Sequence, residues 1–514
     1  MDYKSEAEKF CREEKQFRLG FLPSEARNPL TYDLDTDFAA DSRCGVQTLL
    51  SCDTALLPLV NETLNSDKFK KFVKAVKECL ARKGRIVISG CGAPGRIAIL
   101  FEQAWRQAFP GDGSILSLMT GGDYALVRSV ENFEDYAVTG AMQLRDLGFT
   151  SDDMLIGITA TGETTSTVGS AMEAARTGAQ VFMLICVDPA PAVERLERCR
   201  ELYTHPNVTA ISMPVGGMAL TGSTRMQSST VEMLAAGAAL ESAITGNIPD
   251  YGASYGKMLQ ALTAPEAAAG IAAAVDLESS LCRDKVLIDY LAEDFLIDII
   301  SDTTERAPTF MIPPYHPADK EAPEPWAMVR HPHLATPDAW RLCLGREFRC
   351  LDWDADRYRE NGLEVLIARG IPAISAAEMQ KILIGNEVIP ARKDAVRCEI
   401  RSASEGIWLP GENFVPAAVP ETPLRLFEHI RMKLCMNTLS TGVMAKLGRI
   451  RSNYMIHLDI SNKKLIDRAC RIISELCSVS YEEACCELFR TRHEGTPGES
   501  PVAATIRRLE RNSQ

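Results

Sequence analysis

Two stretches of the chain repeat one pattern of apolar and polar positions. In GRIVISGCGAPGRIAILFEQAWRQAF, residues 84–109, a short continuous apolar run ends in a Gly-rich turn and is followed by apolar residues at helical spacing. In DMLIGITATGETTSTVGSAMEAARTGAQVFMLICV, residues 153–187, the same run, a Gly/Thr-rich turn and an amphipathic helix lead into a second apolar run. Apolar runs without alternation predict strands buried on both faces, and their alternation with helices predicts a parallel α/β sheet. Both turns then fall at the carboxyl ends of strands, where open α/β sheets bind ligands. A dinucleotide is not the expectation for G-C-G-A-P-G, because the end of the next strand, L-M-T, carries no acidic residue to hold a ribose.

An Ala-rich helix from Ala261 to Ala274 opens a new unit, and KVLIDYLAEDFLIDIISDTTE repeats strand, turn and helix as a diverged second copy of the first. The Pro-rich, charged IPPYHPADKEAPEPW reads as a loop excursion. From about Leu424 the spacing is helical, with Gly495 to Pro501 as a turn before the last helix. The expected organisation is an arm over 1–40, a first α/β domain over 41–250, a second over 251–425 and a helical C-terminal cap over 426–514.

At 514 residues and 46% apolar composition, the chain has material for about three units of ordinary size. The net charge of −13 argues against nucleic acid or an anionic membrane surface as partner. The N-terminal stretch is charged, and no uninterrupted apolar span of about 20 residues follows, so a soluble, cytoplasmic protein is expected. Sixteen cysteines without a repeated C-x-x-C spacing fit reduced thiols, with adjacent Cys485 and Cys486 read as helix-face packing. His331 and His333 lie in a Pro-containing loop and read as surface, not metal ligands.

Five separated stretches, NPLTYDLD, GCGAPGRIAIL, GGDYALVRSVENFED, TGSTRMQSST and LSTGVMAKLGRIRSNYMIHLDISNKKLIDRA, resemble the N-acetylmuramic acid 6-phosphate etherases and their relative, glucokinase regulatory protein. The resemblance implies two sugar isomerase (SIS) domains, each a parallel sheet flanked by helices, followed by a helical lid. The length and the second copy resemble the fused regulatory-protein layout more than the shorter etherases, which carry one such domain.

Site residues also follow from the resemblance. The V-E-x-x-E-D motif is present from Val130 to Asp135, which makes Glu134 the family's general base. The D-x-x-E-x-x-P-T-F motif is missing from the first domain, where Ala104 holds the glutamate's position, but it stands in the second as Asp302 to Phe310, which makes Glu305 the acid. A fused pseudo-dimer would then keep both carboxylates in one composite site while its mirror site decays. Cleaving a lactyl ether beside a sugar aldehyde needs one group to take the α proton and another to protonate the leaving oxygen, with neither metal nor organic cofactor.

For the sugar phosphate, Thr161, Thr164, Thr165 and Ser166 of TATGETTS and Ser223 and Thr224 of TGSTR can supply donors at Gly-rich turns and helix N-termini. Lys464 matches the lid lysine of the family's N-x-K-L motif. Two departures stand out: Ala93 and Pro94 replace the hydroxyls of the family's G-T-S-G-R turn, and Glu163 stands where relatives often carry arginine. Arg96 and Arg225 read as structural ion-pair partners. The leading reading is an etherase-type lyase. The rival is a non-catalytic sugar-phosphate sensor that binds a sugar kinase, and aldose–ketose isomerisation shares only the domain type.

Overall fold

The computed structural model describes residues 2–128, 130, 133–245, 250–368, 375–390, 392, 394–496 and 498–512. The first sheet consists of β1 (Ile86–Gly90), β2 (Ile115–Met119), β3 (Met154–Ile158), β4 (Gln180–Ile185) and β5 (Val208–Ser212), in the order β2-β1-β3-β4-β5. Every neighbouring pair is parallel, with Ile86 opposite Ile115 on one side and Met154 on the other. Helix α1 (Ala93–Ala108) follows β1, α2 (Thr165–Arg176) follows β3, and α3 (Gln227–Thr245) closes the unit. The glycines of G-C-G-A-P-G are explained by this turn. A Cβ on Gly90 would lie 2.6 Å from the Pro94 carbonyl carbon, one on Gly95 would lie 2.8 Å from the Gly90 oxygen, and Gly92 has φ +61°.

The second unit runs from α4 (Pro265–Arg283) through β6 (Ile288–Leu291), α5 (Leu296–Phe310), β7 (Ala327–Arg330) and β8 (Val396–Glu399). Its parallel sheet has the order β7-β6-β8, the same arrangement as β2-β1-β3, with α5 in the place of α1. Among the described residues the second sheet has three strands, and the chain continues into a separate antiparallel meander over Arg401–Ala403, Gly406–Leu409 and Asn413–Pro416.

The C-terminal span departs from the expected cap. Its first helix, α6 (Leu426–Lys446), packs against α3, α4 and α5 and belongs to the core between the two units. Two kinds of residue bury it: the apolar Leu434, Cys435, Met436, Leu439 and Val443 pack in the core, and the buried Arg431, Asn437 and Ser440 are hydrogen-bonded to the segments around them. The lid proper is the hairpin Ile450–Arg451 with Tyr454–Met455, then α7 (Lys463–Cys477), Tyr481–Glu494 and Pro501–Asn512. The N-terminal helix Tyr3–Glu13 packs on Tyr481–Glu494, with the Phe10 and Phe489 rings 5.9 Å apart. Among the described residues no single helix is long and apolar enough to cross a membrane. The pair Tyr251–Thr263 and Pro265–Arg283 passes that test jointly but is bent by 63°, and Tyr255, Leu259, Ala267 and Ile271 on it are core residues.

Candidate functional site

One cleft, enclosing about 950 Å³ including its open mouth, lies where the two units and the lid meet. The turns after β1 and β3 and the TGSTR turn border it, α5 supplies one wall, and α7 covers it.

Glu134 and Glu305 both line this cleft, although the first belongs to the first unit and the second to α5. Glu134 follows Phe133, which is fully buried and sits 6.2 Å from the Trp353 ring and 6.4 Å from the Tyr358 ring. The N–H of Ser166 donates to the Glu134 carbonyl at 3.1 Å, so the start of α2 holds the segment from the other side. Glu131 and Asn132 of the same motif lie outside the described residues. Glu305 owes its direction to helical spacing. Asp302 and Arg306, four residues apart, turn into a buried network with Arg225, Glu278, Tyr290 and Ser440, and Glu305 is left facing the cleft.

Each carboxylate has a cation. Lys464 Nζ lies 2.7 Å from Glu134 Oε1, and Arg96, 3% exposed, pairs with Glu305. Burial works against the Lys464 ammonium, but the Glu134 and Glu163 carboxylates outweigh it and hold its pKa above the ordinary lysine value. Lys464 is therefore not the solvated surface group its sequence context suggests. The Arg96 guanidinium is fixed in turn by the Leu126 and Ala125 carbonyls, at 3.4 and 3.1 Å.

The hydroxyls divide into two groups. Thr161, Thr164, Ser223 and Thr224 line the cleft, joined by Thr120 and Thr309. Thr165 and Ser166 do not: Thr165 begins α2, and the fully buried Ser166 hydroxyl is paired with Thr120 at 2.9 Å. Glu163 is neutralised by Arg198 at 2.5 Å and accepts from the Thr161 hydroxyl at 3.1 Å. Arg225 joins the cleft wall while bonding Asp302 and Ser440, at 2.9 and 3.0 Å. The Arg225 carbonyl takes bonds from Lys433 and Asn437 of α6, at 2.9 and 2.8 Å, which fastens the TGSTR turn. The His331 ring accepts the N–H groups of His333 and Leu334 and so caps its own loop.

Sequence reasoning missed how the lid is fastened. Asn453 donates to the Thr31 hydroxyl at 3.0 Å, and the Asn28 amide donates to the Gly217 carbonyl at 2.8 Å, so NPLT is a clamp between lid and first unit. Glu25 pairs with Arg468 and Arg471 of α7, at 2.6 and 2.7 Å, and Arg468 lines the cleft. Burial pushes the Glu25 carboxyl up, yet the two guanidiniums hold it down at about 2. An arginine in an otherwise apolar stretch, as Arg96 in GRIAIL, is the signal that a buried partner is required.

The mirror position is closed. Counted from the last residues of the central strands, Gly90 and Leu291, Pro94 corresponds to Phe295 and Ala104 to Glu305. Phe295 is buried with a left-handed backbone, φ +57°, under the Arg425 guanidinium at 4.4 Å and beside the His429 ring at 5.0 Å. Arg425 is held there by Asp294 and Glu428, at 2.5 and 3.0 Å.

Comparison with known proteins follows this geometry. Residues 69–176 match the glucokinase regulatory protein N-terminal SIS domain, and residues 452–507 match the C-terminal lid domain of glucokinase regulatory protein. The N-acetylmuramic acid 6-phosphate etherase of Enterobacter sp. (strain 638) is 32% identical over 47% of this chain and 75% of its own. That of Cronobacter sakazakii is 34% identical over 42% of this chain and 67% of its own. Tagatose-6-phosphate ketose/aldose isomerase from Escherichia coli aligns structurally with a TM-score of 0.41 and 13% identity, over 83% of this chain and 99% of its own. With its SIS-type parallel sheets and its lid, the chain belongs to the family of N-acetylmuramic acid 6-phosphate etherases and glucokinase regulatory protein.

Proposed function

We propose that this SIS protein is a carbon–oxygen lyase that cleaves the lactyl ether of an N-acetylmuramic acid 6-phosphate-like sugar, leaving N-acetylglucosamine 6-phosphate and lactate. The observation that carries the reading is the meeting of Glu134 and Glu305, from different halves of the chain, in one lid-covered cleft. Glu134 takes the proton α to the sugar aldehyde, and Glu305 returns one to the departing lactate oxygen. A water then adds across the C2–C3 double bond so formed, its hydroxyl to C3 and a proton to C2, to give N-acetylglucosamine 6-phosphate. Groups placed in this way typically supply about 10² to 10⁴ in rate. Thr161, Thr164, Ser223 and Thr224 bind sugar and phosphate oxygens beside the start of α2, where the helix dipole favours an anion. Lys464 passes from Glu134 to the ligand as the site fills, which frees the base. A cytoplasmic location is part of this reading.

A second reading rests on the same ion pairs. With Lys464 on Glu134 and Arg96 on Glu305, and with Ala93 and Pro94 on the first turn, a cleft that binds a sugar phosphate without turning it over also fits. The protein would then be a sensor, with a sugar kinase as its partner. Incubation with N-acetylmuramic acid 6-phosphate separates the two. Lactate release supports the lyase, whereas saturable binding with no lactate at high protein concentration supports the sensor.

A further inference from the structure

A second, smaller chamber adjoins the cleft, bordered by α1, α3, α5 and α6. Ala93, Arg225 and Glu305 line both spaces, so these three residues form the partition between them. Arg96, the partner of Glu305, lines the chamber but not the cleft.

Ile97 and Leu100 of α1 and Met233 of α3 give the chamber an apolar surface. Its polar residues are mostly spent on one another. Lys433, Asn437 and Ser229 all donate to the Arg225 carbonyl, Asp298 is paired with the His429 ring, and the Ser301 hydroxyl donates to the Ile297 carbonyl. The Arg225 guanidinium is the exception. Its Nη1 donates to Asp302 and Ser440 and its Nη2 to Thr441, whereas its buried Nε has no partner among the described residues. A guanidinium carries five N–H groups, so one on Nε and one on Nη2 remain, and a carboxylate accepts such a pair through its two oxygens.

We propose that the chamber takes the lactyl arm of the sugar, its methyl group against Ile97, Leu100 and Met233 and its carboxylate on Arg225. The inference rests on the lyase reading above: Glu305 protonates the leaving lactate oxygen, so that oxygen sits at the partition and the rest of the arm continues past it. The arm carries one methyl and one carboxylate on a single carbon, and the chamber offers one apolar wall and one arginine with donors to spare. Burial pulls the Arg225 guanidinium below its ordinary pKa while the Asp302 and Glu305 carboxylates oppose the shift, and a substrate carboxylate joins them. Arg225, a structural ion-pair partner by its sequence context, then also selects the substrate. A sugar phosphate without the arm occupies the cleft alone.

The test measures binding by calorimetry in the Glu134→Gln protein, where the sugar is not turned over. It compares N-acetylmuramic acid 6-phosphate with N-acetylglucosamine 6-phosphate, the same sugar phosphate without the arm. Met233→Phe fills the chamber and should weaken the muramic sugar by about tenfold or more while leaving N-acetylglucosamine 6-phosphate unchanged. Ser301→Leu fills it from a half-buried position on α5 and should do the same, which keeps the proposal testable should Met233→Phe fail to fold. The lactyl amide of N-acetylmuramic acid 6-phosphate, which lacks the charge, should bind about tenfold more weakly than the acid. Equal losses for both sugars, no loss for the muramic sugar, or an amide that binds as well as the acid overturns the proposal. Lactate release by the wild type is read separately. A silent wild type whose variants still lose only the muramic sugar ends the lyase reading and keeps the chamber as the lactyl site. An active wild type whose variants lose both sugars alike does the reverse.

Discussion

The turn after β1 and the turn after β6 begin two copies of one unit, yet one is open and the other plugged. At the first, Gly92, Ala93 and Pro94 border the cleft. At the second, Phe295 fills the corresponding place under Arg425 and His429. The carboxylate on the following helix shows the opposite pattern: Ala104 on the open half, Glu305 on the plugged half. A duplicated unit that pairs with itself forms two sites, each using the turn of one copy and the helix of the other. Here the open turn and the retained glutamate belong to the same one of those two sites, and the plugged turn and the alanine belong to the other. On the proposed function, the open turn and Glu305 serve one site, and the plugged turn and Ala104 would share the other.

The largest expected effect falls on the open half. Glu134→Gln keeps the side chain's size and hydrogen bonds, so ligand still binds, but lactate release drops by about 10²-fold or more. Direct binding measured beside the turnover assay checks it, and undiminished turnover removes Glu134 as the base. Next comes the plugged half: Phe295→Ala removes a buried ring and lowers stability by about 3 kcal/mol in denaturant titrations, reduced by whatever strain its left-handed backbone releases. It should not add a binding site, because the Arg425 guanidinium, held by Asp294 and Glu428, still closes the turn. Calorimetry should give one ligand per chain before and after, and a second equivalent would break the comparison.

Glu25 tests the lid, which covers the open half. Its pKa is about 2 in the folded protein against an ordinary 4.5, so its stabilisation is present above pH about 4.5 and lost as pH falls towards about 2. The shift corresponds to about 3 kcal/mol. The stability gap between wild type and Glu25→Gln should therefore be wide at neutral pH and narrow at about pH 3. The smallest effect is that of Lys464→Ala. It weakens ligand binding by about tenfold and costs about 1 kcal/mol of stability, because a partly exposed Glu134 loses its partner. Unchanged affinity would remove Lys464 from the ligand site.

Much of the architecture was legible because it is written locally. Continuous apolar runs such as IVIS and MLIGI give the buried strands, and the glycines that let α1 approach β1 stand together in six residues. The resemblance brought Glu134, Glu305 and Lys464 forward, and all three line the cleft. What the chain hid depends on partners distant in sequence. Arg96 shows its purpose only when α5 brings Glu305 against it, and NPLT only when Asn453 meets it. The second sheet's strand count and the burial of α6 are also tertiary outcomes. KVLIDY reads like any central strand and is one, but it does not say how many strands surround it, and among the described residues the sheet holds three. Phe295 looked like one more apolar helix residue until its position opposite Pro94 made it a plug.

The central claim is that the working cleft takes one carboxylate from each half, and Glu305→Gln tests it most directly. The substitution lies in the second unit, yet lactate release from N-acetylmuramic acid 6-phosphate should fall by about 10²-fold or more while the sugar phosphate still binds. Turnover in Glu305→Gln equal to that of an active wild type would contradict the composite site.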